Sequence, residues 1–158
     1  MRSIVNVLLA AACVVYAPAS LAQSPLIAMR KASSDLTTSY LQAWSAPQAA
    51  SPAYVARVYA PRVSFYGRTF DRGGLVREKR RFVRRWPVRQ YALRPGSARV
   101  TCNQRSKSCL VASTLDWRTE NPARRLTSRG SSSFEQRLDF SADRPAIVHE
   151  SGRVLPRS

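Results

Sequence analysis

The sequence predicts an α+β domain in which N-terminal helices pack on one face of an antiparallel sheet. Two observations support this fold class. Apolar residues recur at helical spacing in segments as far as residue 86, and from residue 88 onward they fall in short strand-like runs separated by turn residues. Helices followed by strands with short connections indicate segregated layers rather than alternating βαβ units. We find no internal repeat or domain linker.

Residues 1–22 have the pattern of a cleaved secretory signal peptide. Arg2 supplies a cationic start, an apolar run covers residues 4–17, and the small residues Ser20 and Ala22 precede the predicted cut. The run is shorter than the roughly 20 residues that cross a bilayer, so we expect no transmembrane helix after cleavage. An alternative is cleavage before Cys13, with lipidation of that cysteine. Either way, the protein is expected to be periplasmic or secreted.

The mature chain is small and strongly basic. Removing 22 of the 158 residues leaves 136, enough for one domain, which we place at residues 33–158 after a flexible N-terminus at 23–32. The formal net charge is +17 for the whole chain and +16 once Arg2 is removed. Such a charge attracts polyanions. Export favours an anionic envelope component over nucleic acid, for which no recognised binding motif is present.

The first half of the mature chain predicts two helices and a strand. Residues 33–46 carry one apolar stripe and predict a helix packed on a sheet. Ser51 and Pro52 predict the N-cap and first residue of a short second helix, which Pro61 is expected to end. Residues 62–66 alternate in polarity and predict a strand.

A third helix is predicted over residues 73–86, capped by Asp71 and stopped by Pro87. Its apolar face is formed by Leu75, Val76, Phe82, Val83 and Trp86. Lys79 falls in the middle of that apolar face at about 100° per residue. Five arginines fall on the opposite side: Arg77, Arg80, Arg81, Arg84 and Arg85. They form either a solvated helix face or an anion-binding surface.

Beyond Pro87 the pattern predicts strands and turns. The predicted strands are residues 88–93, 99–102, 109–118, 131–140 and 146–155. Six polar residues separate Cys102 from Cys109, as in a hairpin loop, so we expect these cysteines to form a disulfide in an oxidising compartment. The alternative, a metal clip, would need two further ligands.

The order of these elements resembles the nuclear transport factor 2-like, or SnoaL-like, superfamily. The resemblance covers residues 33–155 and is carried by segments 59–67 (YAPRVSFYG) and 78–91 (EKRRFVRRWPVRQY). It implies a cone-shaped, cystatin-like fold whose curved sheet and helices enclose a pocket. The similar subfamily consists of uncharacterised bacterial domains of the cell envelope. Enzymes with this fold place Tyr, Asp or His in the pocket, but no such catalytic set aligns with this chain.

Lys79 is the main candidate functional residue. A buried ammonium needs a partner, and Asp116, Glu135 and Glu150 are the candidates on predicted strands. Lys79 is then either a pocket cation that binds an acidic ligand or half of an ion pair that fixes the third helix on the sheet. We favour the ion pair. The candidate ligand-binding residues are Lys79, Tyr40, Trp44, Trp86 and Trp117. These aromatic residues could also form ordinary core.

The only histidine, His149, argues against a multi-histidine metal site or a Cys–His nucleophile. We therefore assign no catalytic residue, metal or cofactor.

Three functions follow as alternatives. The favoured one is a non-catalytic ligand-binding or interaction module of the envelope. The others are a small isomerase, dehydratase or cyclase with a pocket near Lys79, and a basic adaptor that binds an anionic partner through the arginine-rich helix. The expected partner is an anionic envelope component or a small apolar or acidic ligand, and self-association as a homodimer is a further alternative.

Overall fold

The computed structural model describes residues 24–46 and 50–156. The predicted signal peptide, Cys13 and most of the predicted helix break at residues 47–50 lie outside this range. Within it, three α-helices and seven β-strands form an α+β fold in which the helices pack on a curved sheet. No helix in the described part combines the length and apolar character that crossing a bilayer requires.

The first helix, α1, spans Pro25–Trp44 and is longer than predicted. Ser24 caps it by accepting a hydrogen bond from the backbone N–H of Ile27 at 3.4 Å, and Pro25 takes the first helical position. Residues 25–32 therefore belong to the helix, which corrects the prediction of a flexible segment there. The sequence analysis began the helix at residue 33 and so missed its first eight residues.

The second helix, α2, spans Pro52–Val58, and the first strand, β1, spans Tyr59–Phe65. Ser51 caps α2 as predicted. Pro61, however, lies inside β1 and does not end the helix. It falls where the pairing between β1 and the last strand is irregular. A residue without an N–H is tolerated at such a position.

The second strand, β2, spans Arg68–Asp71, and the third helix, α3, spans Arg72–Arg85. The sequence analysis did not predict β2. It pairs with β1 through a turn at Tyr66 and Gly67, both of which have positive φ. Asp71 then caps α3, as predicted, by accepting a hydrogen bond from the Gly74 N–H at 2.6 Å.

The remaining strands are β3 (Val88–Leu93), β4 (Arg99–Asn103), β5 (Ser108–Asn121), β6 (Leu126–Asp139) and β7 (Ala146–Ser151). The main strand order is β2-β1-β7-β6-β5-β3, and β4 pairs with the part of β5 that β3 leaves free. The sheet is mixed, which corrects the antiparallel prediction, because β7 inserts beside β1 in parallel. Strand β7 also ends at Ser151, earlier than predicted.

The predicted disulfide between Cys102 and Cys109 is present. These residues face each other across the β4–β5 hairpin, with Cα atoms 4.0 Å apart. At the other end of β5, Asn121 caps a short 3₁₀ turn, Pro122–Arg124, that leads into β6.

The core lies between the helices and the concave face of the sheet. Its fully buried members include Val55, Leu75, Phe134 and Ile147. Arg89, which the sequence analysis did not single out, is also buried. Its guanidinium donates hydrogen bonds to backbone carbonyls at or just after the C-terminal ends of α1 and α3, at 2.7–3.1 Å. It therefore joins the ends of both helices next to the core.

Candidate functional site

A cavity of about 430 Å³ lies between α1, α3 and the sheet. Its lining is mostly apolar and aromatic. All five residues proposed from the sequence as ligand-binding line this single cavity: Lys79, Tyr40, Trp44, Trp86 and Trp117. The helices and strands therefore bring together residues that are separated by as many as 77 positions in the sequence.

Lys79 is enclosed by aromatic rings. It is 1% exposed, and its Nζ lies 3.8 Å from the centroid of the Trp44 ring. The rings of Tyr40, Tyr59 and Phe65 also surround Nζ, with centroids at 4.8–5.2 Å. A desolvated cation over aromatic faces gains about 2 kcal/mol or more. The aromatic rings therefore replace part of the hydration that burial removes from the ammonium.

The carboxylate that balances Lys79 is Glu150, but the two side chains do not form a direct ion pair. Tyr40 lies between them: its hydroxyl oxygen accepts a hydrogen bond from Lys79 Nζ at 3.1 Å and its O–H donates to Glu150 Oε1 at 2.8 Å. The other predicted partners lie elsewhere. Asp116 pairs with Arg94 at 2.7 Å, and Glu135 is exposed.

Glu150 accepts two further hydrogen bonds. Tyr59 donates its O–H to Oε2 at 2.8 Å, and Gln136 donates from Nε2 to the same oxygen at 3.2 Å. Gln136 in turn accepts a hydrogen bond from Thr37 at 3.1 Å. The sequence analysis missed Gln136, although the period of two places it on the buried face between Phe134 and Leu138.

Burial dominates the titration of this cluster. It lowers the pKa of Lys79 to about 8, while the nearby Glu150 carboxylate acts in the opposite direction. Burial also raises the pKa values of Tyr40 and Tyr59 well above their usual range, and Glu150 adds to both shifts. Both tyrosines therefore stay neutral near neutral pH, whereas Lys79 can exchange a proton there.

Three aromatic rings in the wall are nearly parallel. The Trp44 ring makes angles of 22° with Phe82 and 17° with Tyr91, at centroid distances of 5.9 and 6.5 Å. All three side chains line the cavity. Trp44 is buried and carries Lys79 over its face, so Phe82 and Tyr91, which are less buried, are the rings that another planar group can contact.

The five arginines predicted on the polar side of α3 are exposed, but they do not form one surface. Arg81, Arg84 and Arg85 share a concave surface with Arg124 from the 3₁₀ turn and Leu126 at the start of β6. We call this surface the arginine groove. The other two arginines predicted as anion-binding, Arg77 and Arg80, are exposed outside the groove.

His149 has no part in the cavity. It lies on β7, with its Nε2 3.1 Å from the Ser151 hydroxyl. Among residues 24–46 and 50–156, no three His, Cys, Asp or Glu side chains are grouped so that they could hold a metal ion.

No family model matches the sequence, and no curated protein matches it. Solved structures do match the fold. The Kfla4162 protein from Kribbella flavida has a TM-score of 0.72 and 10% identity, over 84% of this chain and 94% of that chain. A proposed dehydratase of the NTF2-like family from Streptomyces avermitilis has a TM-score of 0.68 and 11% identity, over 84% of this chain and 99% of that chain.

An uncharacterised protein with a cystatin-like fold from Caulobacter vibrioides has a TM-score of 0.64 and 17% identity, over 80% of this chain and 89% of that chain. These low identities establish the fold alone. The match to solved structures agrees with the predicted superfamily fold and with the helices packed on a curved sheet. The chain has the nuclear transport factor 2-like fold.

Proposed function

We propose that this chain is an exported domain that binds a small, flat, largely apolar ligand carrying a carbonyl or carboxylate oxygen. The observation that carries the proposal is the cavity of about 430 Å³ with the Lys79 ammonium in its aromatic wall. Small-molecule sites commonly occupy about 300–1,000 Å³ and combine apolar walls with a few polar groups. This cavity fits that description in both size and lining.

Lys79 supplies the polar contact. An ammonium has three N–H donors, and one of them is used by Tyr40. A ligand oxygen would accept another, and the rings of Phe82 and Tyr91, which line the same cavity, would contact its planar body. Glu150 accepts three hydrogen bonds and balances the charge of Lys79.

The binding test is a titration followed by tryptophan fluorescence, because Trp44, Trp86 and Trp117 all line the cavity. The probes are planar aromatic carboxylates and ketones, each with its parent hydrocarbon. Lys79→Met should weaken carboxylate and ketone binding about tenfold and leave hydrocarbon binding nearly unchanged, as expected for one charged hydrogen bond. The control Lys107→Met removes an exposed lysine, with the same change in charge. Equal binding by all three proteins would refute the role of Lys79.

Native mass spectrometry tests the whole proposal without a choice of probe. Protein purified from its own periplasm should carry a small molecule that is released on unfolding. Protein without a bound molecule that also fails to bind every probe would overturn the proposal.

A second candidate function is an isomerase or dehydratase that moves a proton next to a carbonyl. The Lys79 pKa of about 8 and its hydrogen bond to Tyr40 favour it, because a group titrating near the working pH can act as acid or base. Protein incubated in D₂O with a ketone that binds should then exchange the hydrogens beside the carbonyl, as observed by NMR. Wild-type exchange no faster than that of Lys79→Met would exclude this function.

Export is part of the proposal. It is supported by the pattern of residues 1–22 and by the disulfide between Cys102 and Cys109, which suits an oxidising compartment. The intact mass of the protein from its own cells provides the test. A chain that starts at Gln23 supports cleavage after Ala22, a lipidated chain that starts at Cys13 supports the alternative, and a full-length cytoplasmic chain contradicts export.

A further inference from the structure

The arginine groove combines charges from two separate parts of the chain. Arg81, Arg84 and Arg85 come from the end of α3, and Arg124 comes from the turn between β5 and β6. Of the four groove arginines, only Arg81 has an acidic partner within the described residues, Glu78 at 3.6 Å. Cations at a helix C-terminus are favoured by the helix dipole, but this does not explain why Arg124 faces the same concavity.

A buried asparagine fixes the two parts together. Asn121 donates a hydrogen bond from Nδ2 to the Arg85 backbone carbonyl at 2.8 Å and accepts one at Oδ1 from the Arg124 backbone N–H at 3.2 Å. The side chain is 5% exposed. The backbone positions of the arginines are therefore set before any partner arrives. Preorganisation of this kind lowers the cost of binding.

Exposed apolar side chains border the groove. Leu126 lies in it and is 42% exposed. On α3, Phe82 is 37% exposed and also lines the cavity. Arg85 joins the two surfaces, because its Cζ lies 5.7 Å from the ring centroid of Trp86, another cavity residue. The groove and the cavity wall are thus neighbours.

We propose that this face, formed by the arginine groove with Phe82 and Leu126, docks on a membrane rich in anionic phospholipids. Guanidinium groups bind lipid phosphates in pairs of hydrogen bonds, and exposed apolar side chains beside them enter the interface. Docking in this way places a wall of the cavity next to the bilayer, where apolar molecules are concentrated. The docking itself does not depend on the ligand proposed above.

The test is co-sedimentation of the mature protein with vesicles, without added ligand. Vesicles of phosphatidylcholine are compared with vesicles containing phosphatidylglycerol. Arg81→Ala, Arg84→Ala and Arg124→Ala are combined in one variant. Its matched control combines Arg62→Ala, Arg105→Ala and Arg137→Ala, which removes three exposed arginines from other surfaces.

Wild-type protein should bind the anionic vesicles only. The groove variant should bind these vesicles about 100-fold more weakly, since each arginine near an anionic surface contributes about fivefold to the affinity. The affinity of the control variant should fall by less than about tenfold. Leu126→Ser should reduce the binding that remains at high salt, where exposed charges are screened. Equal losses in the two triple variants would show that net charge alone drives binding, which overturns the proposal.

Two further outcomes would also overturn it. One is binding of inorganic phosphate in the groove, measured by calorimetry, without vesicle binding. The other is displacement of the protein from vesicles by a soluble polyanion such as heparin that binds as tightly as the vesicles do, with this displacement persisting at high salt. The groove residues do not line the cavity, so the groove variant should bind small ligands in solution like the wild type. Failure of the membrane proposal can therefore be distinguished from failure of the ligand-binding proposal.

Discussion

The ammonium of Lys79 lies over the face of the Trp44 ring, 3.8 Å from its centroid. A lysine from α3 thus occupies an aromatic enclosure to which α1 and β1 contribute. The positive charge is retained without a carboxylate in direct contact, because aromatic rings and the Tyr40 hydroxyl oxygen take the place of water. The stability of the fold should therefore depend on whether this amine is charged.

We first predict that Lys79 makes folding stability pH-dependent above neutrality. Its pKa is about 8 in the folded protein and about 10.4 in the unfolded chain, so between these values the unfolded chain binds more protons. Stability then rises with pH in this window, and the cost of burying the charge is fully present below about pH 8. From pH 7 to 9.5 the wild type should gain about 2 kcal/mol relative to Lys79→Met.

Urea unfolding of both proteins across this range provides the measurement. Tyr40 and Tyr59 have the opposite effect above about pH 10, because the unfolded chain loses their protons first. Their contribution largely cancels in the difference between the two proteins. Parallel stability curves for the wild type and Lys79→Met would contradict the prediction, and Lys107→Met serves as the exposed control.

The second prediction concerns Glu150, on which three donors converge. Glu150→Gln removes the charge that balances Lys79 and should cost about 3 kcal/mol at pH 7, as for other broken buried pairs. The double variant with Lys79→Met should recover at least about 1 kcal/mol of this loss, since no uncompensated charge remains. Glu135→Gln, at an exposed position of β6, should change the unfolding free energy by less than about 0.5 kcal/mol. If Glu150→Gln lowers the unfolding free energy equally in the wild type and in Lys79→Met, then Glu150 and Lys79 are not coupled.

Local sequence patterns predict the interior position of Lys79 and the position of the disulfide hairpin. Lys79 lies among apolar residues spaced for one helix face, and a helix buries whatever lies on that face. Cys102 and Cys109 are only seven positions apart, so a hairpin alone brings them together. In both cases the pattern that carries the prediction lies among residues that are near in sequence.

Non-local pairing could not be predicted in this way. Strand β7 inserts between β1 and β6, and its parallel pairing with β1 joins segments more than 80 residues apart. The boundary between α2 and β1 could not be predicted either, because an aromatic residue at Tyr59 fits both the end of a helix and the start of a strand. The choice of Glu150 over Asp116 and Glu135 as the partner of Lys79 also depends on where β7 lies in the sheet.

The third prediction is that reduction of the Cys102–Cys109 disulfide weakens the fold without unfolding it. The bond closes a short loop, for which the chain-entropy model gives about 2 to 3 kcal/mol. Urea unfolding with and without dithiothreitol should show this loss at neutral pH. In the variant Cys102→Ala, Cys109→Ala, dithiothreitol should have no effect. A wild-type unfolding curve that does not respond to the reductant would contradict the prediction.

The last prediction concerns Gly152, which follows β7 and lines the cavity. Although β7 ends at Ser151, the chain beyond it stays against β6: the Ser133 N–H donates to the Arg153 carbonyl at 2.8 Å and the Arg153 N–H donates to the Ser133 hydroxyl at 3.0 Å. A Cβ atom on Gly152 would overlap the Ser133 backbone carbonyl oxygen. Because backbone cannot yield as a flexible side chain does, the strand extension must move away from β6.

Gly152→Ala should therefore destabilise the fold by about 1 to 3 kcal/mol, the usual cost of overpacking, and should widen the cavity on the side of Val154. Gly73→Ala is the matched control, because its new Cβ would make only ordinary contacts, the nearest at 3.5 Å, and alanine favours the helix by about 0.5 to 1 kcal/mol. The unfolding temperature should thus fall for Gly152→Ala and rise for Gly73→Ala. If Gly152→Ala unfolds at the wild-type temperature, then the residues after β7 are not held against β6, and this wall of the cavity is not fixed.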